Sequence, residues 1–296
     1  ELKESHRTKK TINPICEVAN VKDRYRMDTI FDNYHPDIVY HAAAYKHVPI
    51  IEKSPYEGIF VNVFGTRIVA DTALRYGVER FVMVSTDKAV NPTNVMGATK
   101  RVAELYTQSL NELGKTKFIA TRFGNVLGSN GSVVPLFRKQ IENGGPITVT
   151  HEEITRYFMT IPEACNLVLE AGAMGQGGEV FVFDMGEPVK IIEMAKKMVK
   201  LSGLELNKDI YIKITGLRPG EKLYEELLAS SEDTLPTHHK KIMVAKVDTY
   251  SNKAIKEHLD ILTEIMIDGD VVGMVRKVKA IVPEYISQNS EFEALD

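Results

Sequence analysis

The segment Phe81-Val82-Met83-Val84-Ser85-Thr86-Asp87-Lys88 ends an apolar, β-branched run in two hydroxyls, a carboxylate and an ammonium. In an open α/β sheet, ligands bind beyond the carboxyl ends of the strands. Thr86, Asp87 and Lys88 therefore stand where a proton could be moved on a substrate. To act as an acid Asp87 must hold its proton, and to act as a base Lys88 must be neutral; burial drives both shifts. Attraction between the charged forms opposes both, so this chemistry calls for a dry pocket that favours a neutral pair. Read alone, the segment is equally a Ser/Thr/Asp turn with a solvated lysine.

Two further groups of residues carry a signal only in context. After the loop Asn91-Pro92-Thr93-Asn94, Met96 and Lys100 stand at i and i+4 and share one face of a helix. His41-Ala42-Ala43-Ala44 closes another β-type run, where small side chains let a cofactor approach the backbone, or equally let a helix pack closely. Lys46 and His47 beside it read as loop residues.

Positioning these groups requires a sheet. Short β-branched and aromatic runs alternate with segments of helical period, the pattern of βαβ units around a parallel sheet. Strands are expected at 37–41, 80–85, 117–122 and 179–184, and helices at 22–34, 54–76, 95–113, 132–143 and 162–172. Ser54-Pro55-Tyr56-Glu57 and Thr160-Ile161-Pro162-Glu163 both read as helix starts, with a hydroxyl N-cap three residues before a glutamate. Beyond 124, loops rich in Gly, Asn and Pro lead to helices near 189–202, 220–229 and 253–281, which suggests a smaller lobe beside the sheet.

The bulk properties narrow the class. With 296 residues, 44% hydrophobic and 26% charged, the chain has the profile of a folded globular protein with a substantial core. A net charge of -3 gives no cationic field for nucleic acid, so an anionic ligand must be met by a local site. Cys16 and Cys165 form neither a disulfide framework nor a metal set, and a reducing cytoplasm is the expected compartment. Neither a membrane-spanning run nor an export signal is evident.

The run from Ser85 to Arg101, Ser-Thr-Asp-Lys-Ala-Val-Asn-Pro-Thr-Asn-Val-Met-Gly-Ala-Thr-Lys-Arg, resembles the signature of the CapD-type polysaccharide biosynthesis family. These are UDP-N-acetylglucosamine 4,6-dehydratases of extended short-chain dehydrogenase fold. The likeness continues through His41 to His47, Arg122-Phe123-Gly124-Asn125-Val126-Leu127-Gly128-Ser129, Thr155-Arg156-Tyr157-Phe158-Met159 and Gly216-Leu217-Arg218-Pro219-Gly220-Glu221-Lys222-Leu223. The final residues carry little of it.

The resemblance implies an α/β fold: a Rossmann-like parallel sheet, incomplete at its N-terminus, with a smaller C-terminal substrate-binding lobe. Residues 1–124 would be the NAD-binding part. Residues 125–296 would be mainly the nucleotide-sugar lobe, with interleaved sheet elements and a helical C-terminus. The implied reaction takes a hydride from C4 of the sugar onto NAD+, removes the C5 proton and the C6 hydroxyl, and returns the hydride to C6. By position, Asp87 would protonate the leaving oxygen, Lys88 would remove the C5 proton, Thr86 would hydrogen-bond O4 and Lys100 would hold the nicotinamide ribose. Met96 stands where the superfamily carries a tyrosine, so the O4 proton must go to Asp87, Lys88 or water.

On the substrate side, Arg218 would meet the diphosphate of a UDP-sugar, with Glu221 accepting from ribose hydroxyls and Asn125 contacting the nucleotide-sugar. Arg156 joins this set, though a surface ion pair accounts for it equally well. His41, Ala42 and Ala43 would face the cofactor, and Asn20 stands where relatives have an aspartate near the adenine. The G-x-G-x-x-G loop that cradles the pyrophosphate does not precede residue 40; Gly172 to Gly178 lies between helix and strand, the reverse order. The expectation is thus a C-terminal piece of a longer protein, whose upstream part could tether it to a membrane. A homo-oligomer is compatible with the family. An epimerase, which normally keeps the tyrosine, and a non-catalytic UDP-sugar-binding fragment are the competing readings.

Overall fold

The computed structural model describes residues 13–228 and 233–296. In chain order the helices are α1 (Arg24–Tyr34), α2 (Val48–Lys53), α3 (Pro55–Ile59), α4 (Thr66–Arg75), α5 (Val95–Ser109), α6 (Val133–Glu142), α7 (Ile161–Met174), α8 (Ile191–Leu201), α9 (Asn252–Ile267) and α10 (Val271–Ile281). The strands are β1 (Ile38–His41), β2 (Arg80–Val84), β3 (Lys117–Arg122), β4 (Asn125–Val126), β5 (Ile147–Val149), β6 (Thr155–Arg156), β7 (Phe158–Met159), β8 (Val180–Phe183), β9 (Val189–Lys190), β10 (Ile212–Ile214), β11 (Thr234–Pro236) and β12 (Ile242–Ala245). Six of them form the main sheet, in the order β1-β2-β3-β8-β12-β11. The first four run parallel, while β12 and β11 are antiparallel additions at one edge.

Alternate residues of the central strands serve opposite faces. Phe81, Met83, Phe118, Ala120, Val180 and Val182 join one buried cluster, and Val82, Ile119, Phe181 and Phe183 the other. Burial on both faces is why these strands read as continuous apolar runs rather than alternating ones. The first face is covered by α1, α4 and α5, with α9 and α10 packed outside α5; α7 covers the second. Every residue of α5 is buried as a result. A third cluster, built on Phe137, Ile147, Val149, Ile191 and Val199, is the core of the second lobe, where β5 pairs with β10 beside α6 and α8. This is a Rossmann-type α/β fold.

Several expected elements are built differently. The long helix over 54–76 is three joined pieces, with a π-helical turn at Phe60–Gly65 between α3 and α4, and the Ser54 side chain makes no cap. The Thr160 hydroxyl does accept from the Glu163 amide at the start of α7. The helix expected at 220–229 is a chain of turns as far as 228, and residue 229 lies outside the described residues. Its charge-rich sequence is consumed by contacts to the site instead of a helix face. The helix at 253–281 breaks at Asp268 to Asp270 into an antiparallel pair, with Asp270 capping α10. The C-terminal tail then crosses the loop that leads into α5. Ile286 and Gln288 donate to the carbonyls of Pro92 and Thr93, and the Ser290 hydroxyl donates to Glu52.

Candidate active site

The C-terminal end of β2 is extended by two hydrogen bonds along the β3 side: Ser85 N donates to Thr121 O (2.7 Å) and Asp87 N to Phe123 O (3.1 Å). The backbone then turns tightly at Asp87–Ala89, with the Thr86 hydroxyl accepting from the Lys88 amide at 3.3 Å. The same hydroxyl donates to Asp87 Oδ1 at 2.9 Å, and Lys88 Nζ donates to that oxygen at 3.0 Å. Asp87 is 1% exposed, and its Oδ2 has no hydrogen-bond partner among the described residues. That oxygen faces Gly124, where a Cβ would stand 3.0 Å away, so a side chain at 124 would press on the carboxylate.

A cavity of about 360 Å³ opens in front of this turn. Thr86, Lys88, Met96, Lys100, Ala42 and Asn125 line it, and Asp87 lies directly behind Thr86 and Lys88. Helix α5 presents Met96 and Lys100 because Asn94 caps it through the Gly97 amide at 2.8 Å. Gly97 lies against the Lys88 carbonyl, with which a Cβ would collide. Lys100 Nζ donates to Val84 O at 2.9 Å, and burial lowers its pKa to about 8 against the opposing pull of Glu104.

The electrostatics differ from the neutral pair that the chemistry calls for. Burial pulls Lys88 down, but the carboxylates of Asp87 and Glu225 outweigh it and hold the ammonium above the ordinary lysine range. Burial pushes Asp87 up, with Lys88 opposing and the Glu225 charge adding to the rise. Sequence reasoning missed Glu225, which reaches the site from the turns after Gly220; its charge-rich neighbourhood reads as a solvated face. It missed Asn62 as well. This buried amide accepts from Tyr45 N and donates to Tyr45 O and Thr99 Oγ1, pinning the loop after β1 to α5. A lone amide in Phe60-Val61-Asn62-Val63-Phe64 is the signal that could have found it.

The other expected cofactor residues are dispersed. His41 turns into the core, where its Nε2 bonds Thr66 Oγ1 at 2.9 Å and its ring lies near Phe81. Ala44 joins Ala42 in the cavity wall, whereas Ala43 does not line it. Asn20 accepts from the Lys22 amide in the turn before α1 and lines neither cavity described here. On the substrate side, Asn125, Arg156, Arg218 and Glu221 line an adjoining space of about 170 Å³, and Asn125 belongs to both. Arg156 donates to the carbonyls of Thr155 (2.7 Å), Lys222 (2.9 Å) and Leu223 (3.3 Å). Glu221 accepts from Arg218 N at 3.0 Å and from Thr150 Oγ1 at 3.2 Å. Arg218 is exposed.

The family model described as "Polysaccharide biosynthesis protein" matches residues 1–247. The chain belongs to this family. The capsular polysaccharide biosynthesis protein CapD of Staphylococcus aureus is 56% identical to this family member over 253 residues, 85% of this chain and 41% of that protein. An inverting UDP-N-acetylglucosamine 4,6-dehydratase of Campylobacter jejuni (strain NCTC 11168) is 36% identical over 222 residues, covering 74% and 63% of the two chains. A UDP-glucose 4-epimerase of Rickettsia canadensis is 41% identical over 200 residues, covering 67% and 57%. The chain thus spans about two fifths of the S. aureus relative and under two thirds of the others. The crystal structure of Pen from Bacillus thuringiensis shares the fold with TM-score 0.71 at 34% identity, covering 79% and 72%. UDP-glucose 4-epimerase of Thermus thermophilus, solved with NAD, shares it with TM-score 0.63 at 20% identity, covering 70% and 74%. Among the described residues no helix is long and apolar enough to cross a membrane, and no group of three or more His, Cys, Asp or Glu side chains is placed to hold a metal ion.

Proposed function

We propose that this chain carries the substrate-facing half of an NAD-dependent UDP-N-acetylglucosamine 4,6-dehydratase. One observation supports this most strongly: Thr86 and Lys88 face the same cavity as Lys100, Asp87 stands directly behind them, and a thioether occupies position 96. An acid and an amine joined at one oxygen suit an elimination, whereas an epimerase needs neither. The epimerase relative keeps that alternative in view, but Met96 offers no phenol to accept the O4 proton.

The residues present fit the nicotinamide-ribose end of NAD. Lys100 would hold the ribose, and Ala42 and Ala44 leave room for the ring. No glycine-rich turn for the pyrophosphate occurs among the described residues before β1. Bound NAD would supply the transient oxidation at C4 that acidifies the C5 proton. Thr86 would hydrogen-bond O4, whose proton would pass to water as C4 is oxidised, and Lys88, having released its own proton to water, would take the one on C5. Asp87 would deliver its proton to the departing C6 oxygen through the Thr86 hydroxyl or the Lys88 amine, which both touch Oδ1. In the second space, Arg218 would meet the diphosphate and Asn125 the nucleotide-sugar. Arg156, anchored on three carbonyls, would support that wall more than it would bind substrate.

The test is a proton NMR time course of the protein with NAD+ and UDP-N-acetylglucosamine, in which a new C6 methyl doublet is expected. Asp87→Asn and Lys88→Ala should each slow its appearance about 10²- to 10⁴-fold, the usual worth of a positioned acid or base. Wild-type rates in either variant overturn the assignment. Broadened uridine signals without a methyl would reduce the chain to a UDP-sugar-binding unit.

A further inference from the structure

Glu225 is a buried carboxylate in the wall behind the cavity, and the reaction outlined above gives it no part. Its Oε1 lies 3.3 Å from Lys88 Nζ and 3.5 Å from Arg156 Nε, and its Oε2 has no hydrogen-bond partner among the described residues. Lys88 Nζ is therefore held between two carboxylates, with Asp87 Oδ1 at 3.0 Å on the other side. Two buried carboxyls that share one ammonium titrate as a coupled pair and compete for a proton.

The surroundings decide which of them takes it. Glu225 faces three cations: Lys88, the Arg156 guanidinium on β6, fixed by backbone carbonyls, and Lys222 on its own loop. Among the described residues Asp87 faces one cation, Lys88, together with the Thr86 hydroxyl and the negative charge of Glu225. Glu221, the other carboxylate near Arg156, lies 3.5 Å from its Nη2 and also accepts from the Arg218 amide and the Thr150 hydroxyl.

We propose that Glu225 is the fixed anion of this site, a positioning residue that aims Lys88 at Asp87 and leaves Asp87 as the carboxyl that carries the proton. The functional meaning of this division rests on the acid role proposed for Asp87. The directions of the pKa shifts agree with it. Burial would raise Glu225, but the Lys88 and Arg156 charges hold it below the usual range, while burial and the Glu225 charge carry Asp87 above.

The test is ¹³C NMR of side-chain carboxyls in the ligand-free protein, with the Asp87 signal assigned by Asp87→Asn and the Glu225 signal by Glu225→Asp. In the wild type, Asp87 should titrate at higher pH than Glu225. In Glu225→Gln the Asp87 midpoint should fall by about one pH unit or more, the usual coupling of close carboxylates, and Glu225→Asp should move it less. An unmoved Asp87 midpoint in Glu225→Gln, or a wild-type Glu225 that protonates before Asp87 as pH falls, overturns the proposal. If Glu225→Gln does not fold, the wild-type order alone decides. Because no substrate or cofactor is present, a failure of dehydratase turnover would reject the functional reading and leave this result standing. Where turnover is measured, Glu225→Gln should shift the alkaline limb of kcat to lower pH, whereas a packing defect would lower the profile without moving it.

Discussion

Two buried ionic clusters flank the β2 and β3 strands, and they are built on opposite principles. In the first, Arg122 donates to Glu104 from Nε at 3.0 and 3.2 Å and from Nη2 at 2.7 Å, and Arg101 adds a contact at 3.3 Å while also binding Glu284 and the Asp248 carbonyl. Burial would raise Glu104, but the Arg122 charge dominates and keeps it below the usual carboxylate range. In the second, around Lys88, single contacts of 3.0 to 3.5 Å join Asp87, Lys88, Glu225 and Arg156, and among the described residues both Asp87 and Glu225 keep one oxygen without a hydrogen bond. The first cluster is saturated and closed to the cavity. The second has bonding capacity to spare and presents its lysine to a space where a ligand fits. The saturated network serves the fold, and the spare capacity at the cavity is what the proposed proton transfer would use.

That contrast can be broken by experiment. Arg122→Met should lower stability by about 3–5 kcal/mol, because it leaves the buried Glu104 carboxylate with only the 3.3 Å Arg101 contact among the ion pairs described, and Lys88→Met should cost within about 1 kcal/mol, because the Asp87 carboxyl can protonate; chemical denaturation compares the two. Equal losses would remove the distinction. Gly97→Ala drives a methyl into the Lys88 carbonyl. It should cost about 1–3 kcal/mol, as overpacking does, and lower turnover further by shifting the Lys88 turn; a variant with wild-type turnover would show that the turn tolerates displacement.

A pH series gives the gentlest probe. Burial holds His41 neutral with a pKa near 3, against 6.5 for the free side chain. Its folded value is depressed, so the native state binds fewer protons than the unfolded chain between these values. Stability from this group is complete above about pH 6.5 and declines by roughly 1.4 kcal/mol per pH unit down to about pH 3. His41→Gln should flatten that part of an acid unfolding curve, and an unchanged slope would place the acid sensitivity in the carboxylate clusters instead.

Much of the molecule was legible in order along the chain. The four parallel strands lie within a residue or two of their expected positions, since burial on both faces gives an unmistakable apolar run. The end of β2 could be read as a candidate site for the same reason: polar groups following such a run must sit at a sheet edge. The antiparallel β12 and β11, the broken C-terminal helix and the turns at 220–228 were not legible, because their sequences fit several local structures and packing selects among them.

Sequence alone determined the four parallel strands, the place of Thr86, Asp87 and Lys88 at the end of β2 and the shared face of Met96 and Lys100, which are matters of period and spacing within a few residues; the family was legible through a resemblance of motifs. Only the tertiary structure decided that Lys88 stays charged, that Arg156 is anchored on backbone carbonyls and that Glu225 faces Asp87 across one ammonium. Protonation depends on the charges and solvent within a few ångströms of a group, and in this protein those neighbours arrive from distant parts of the chain.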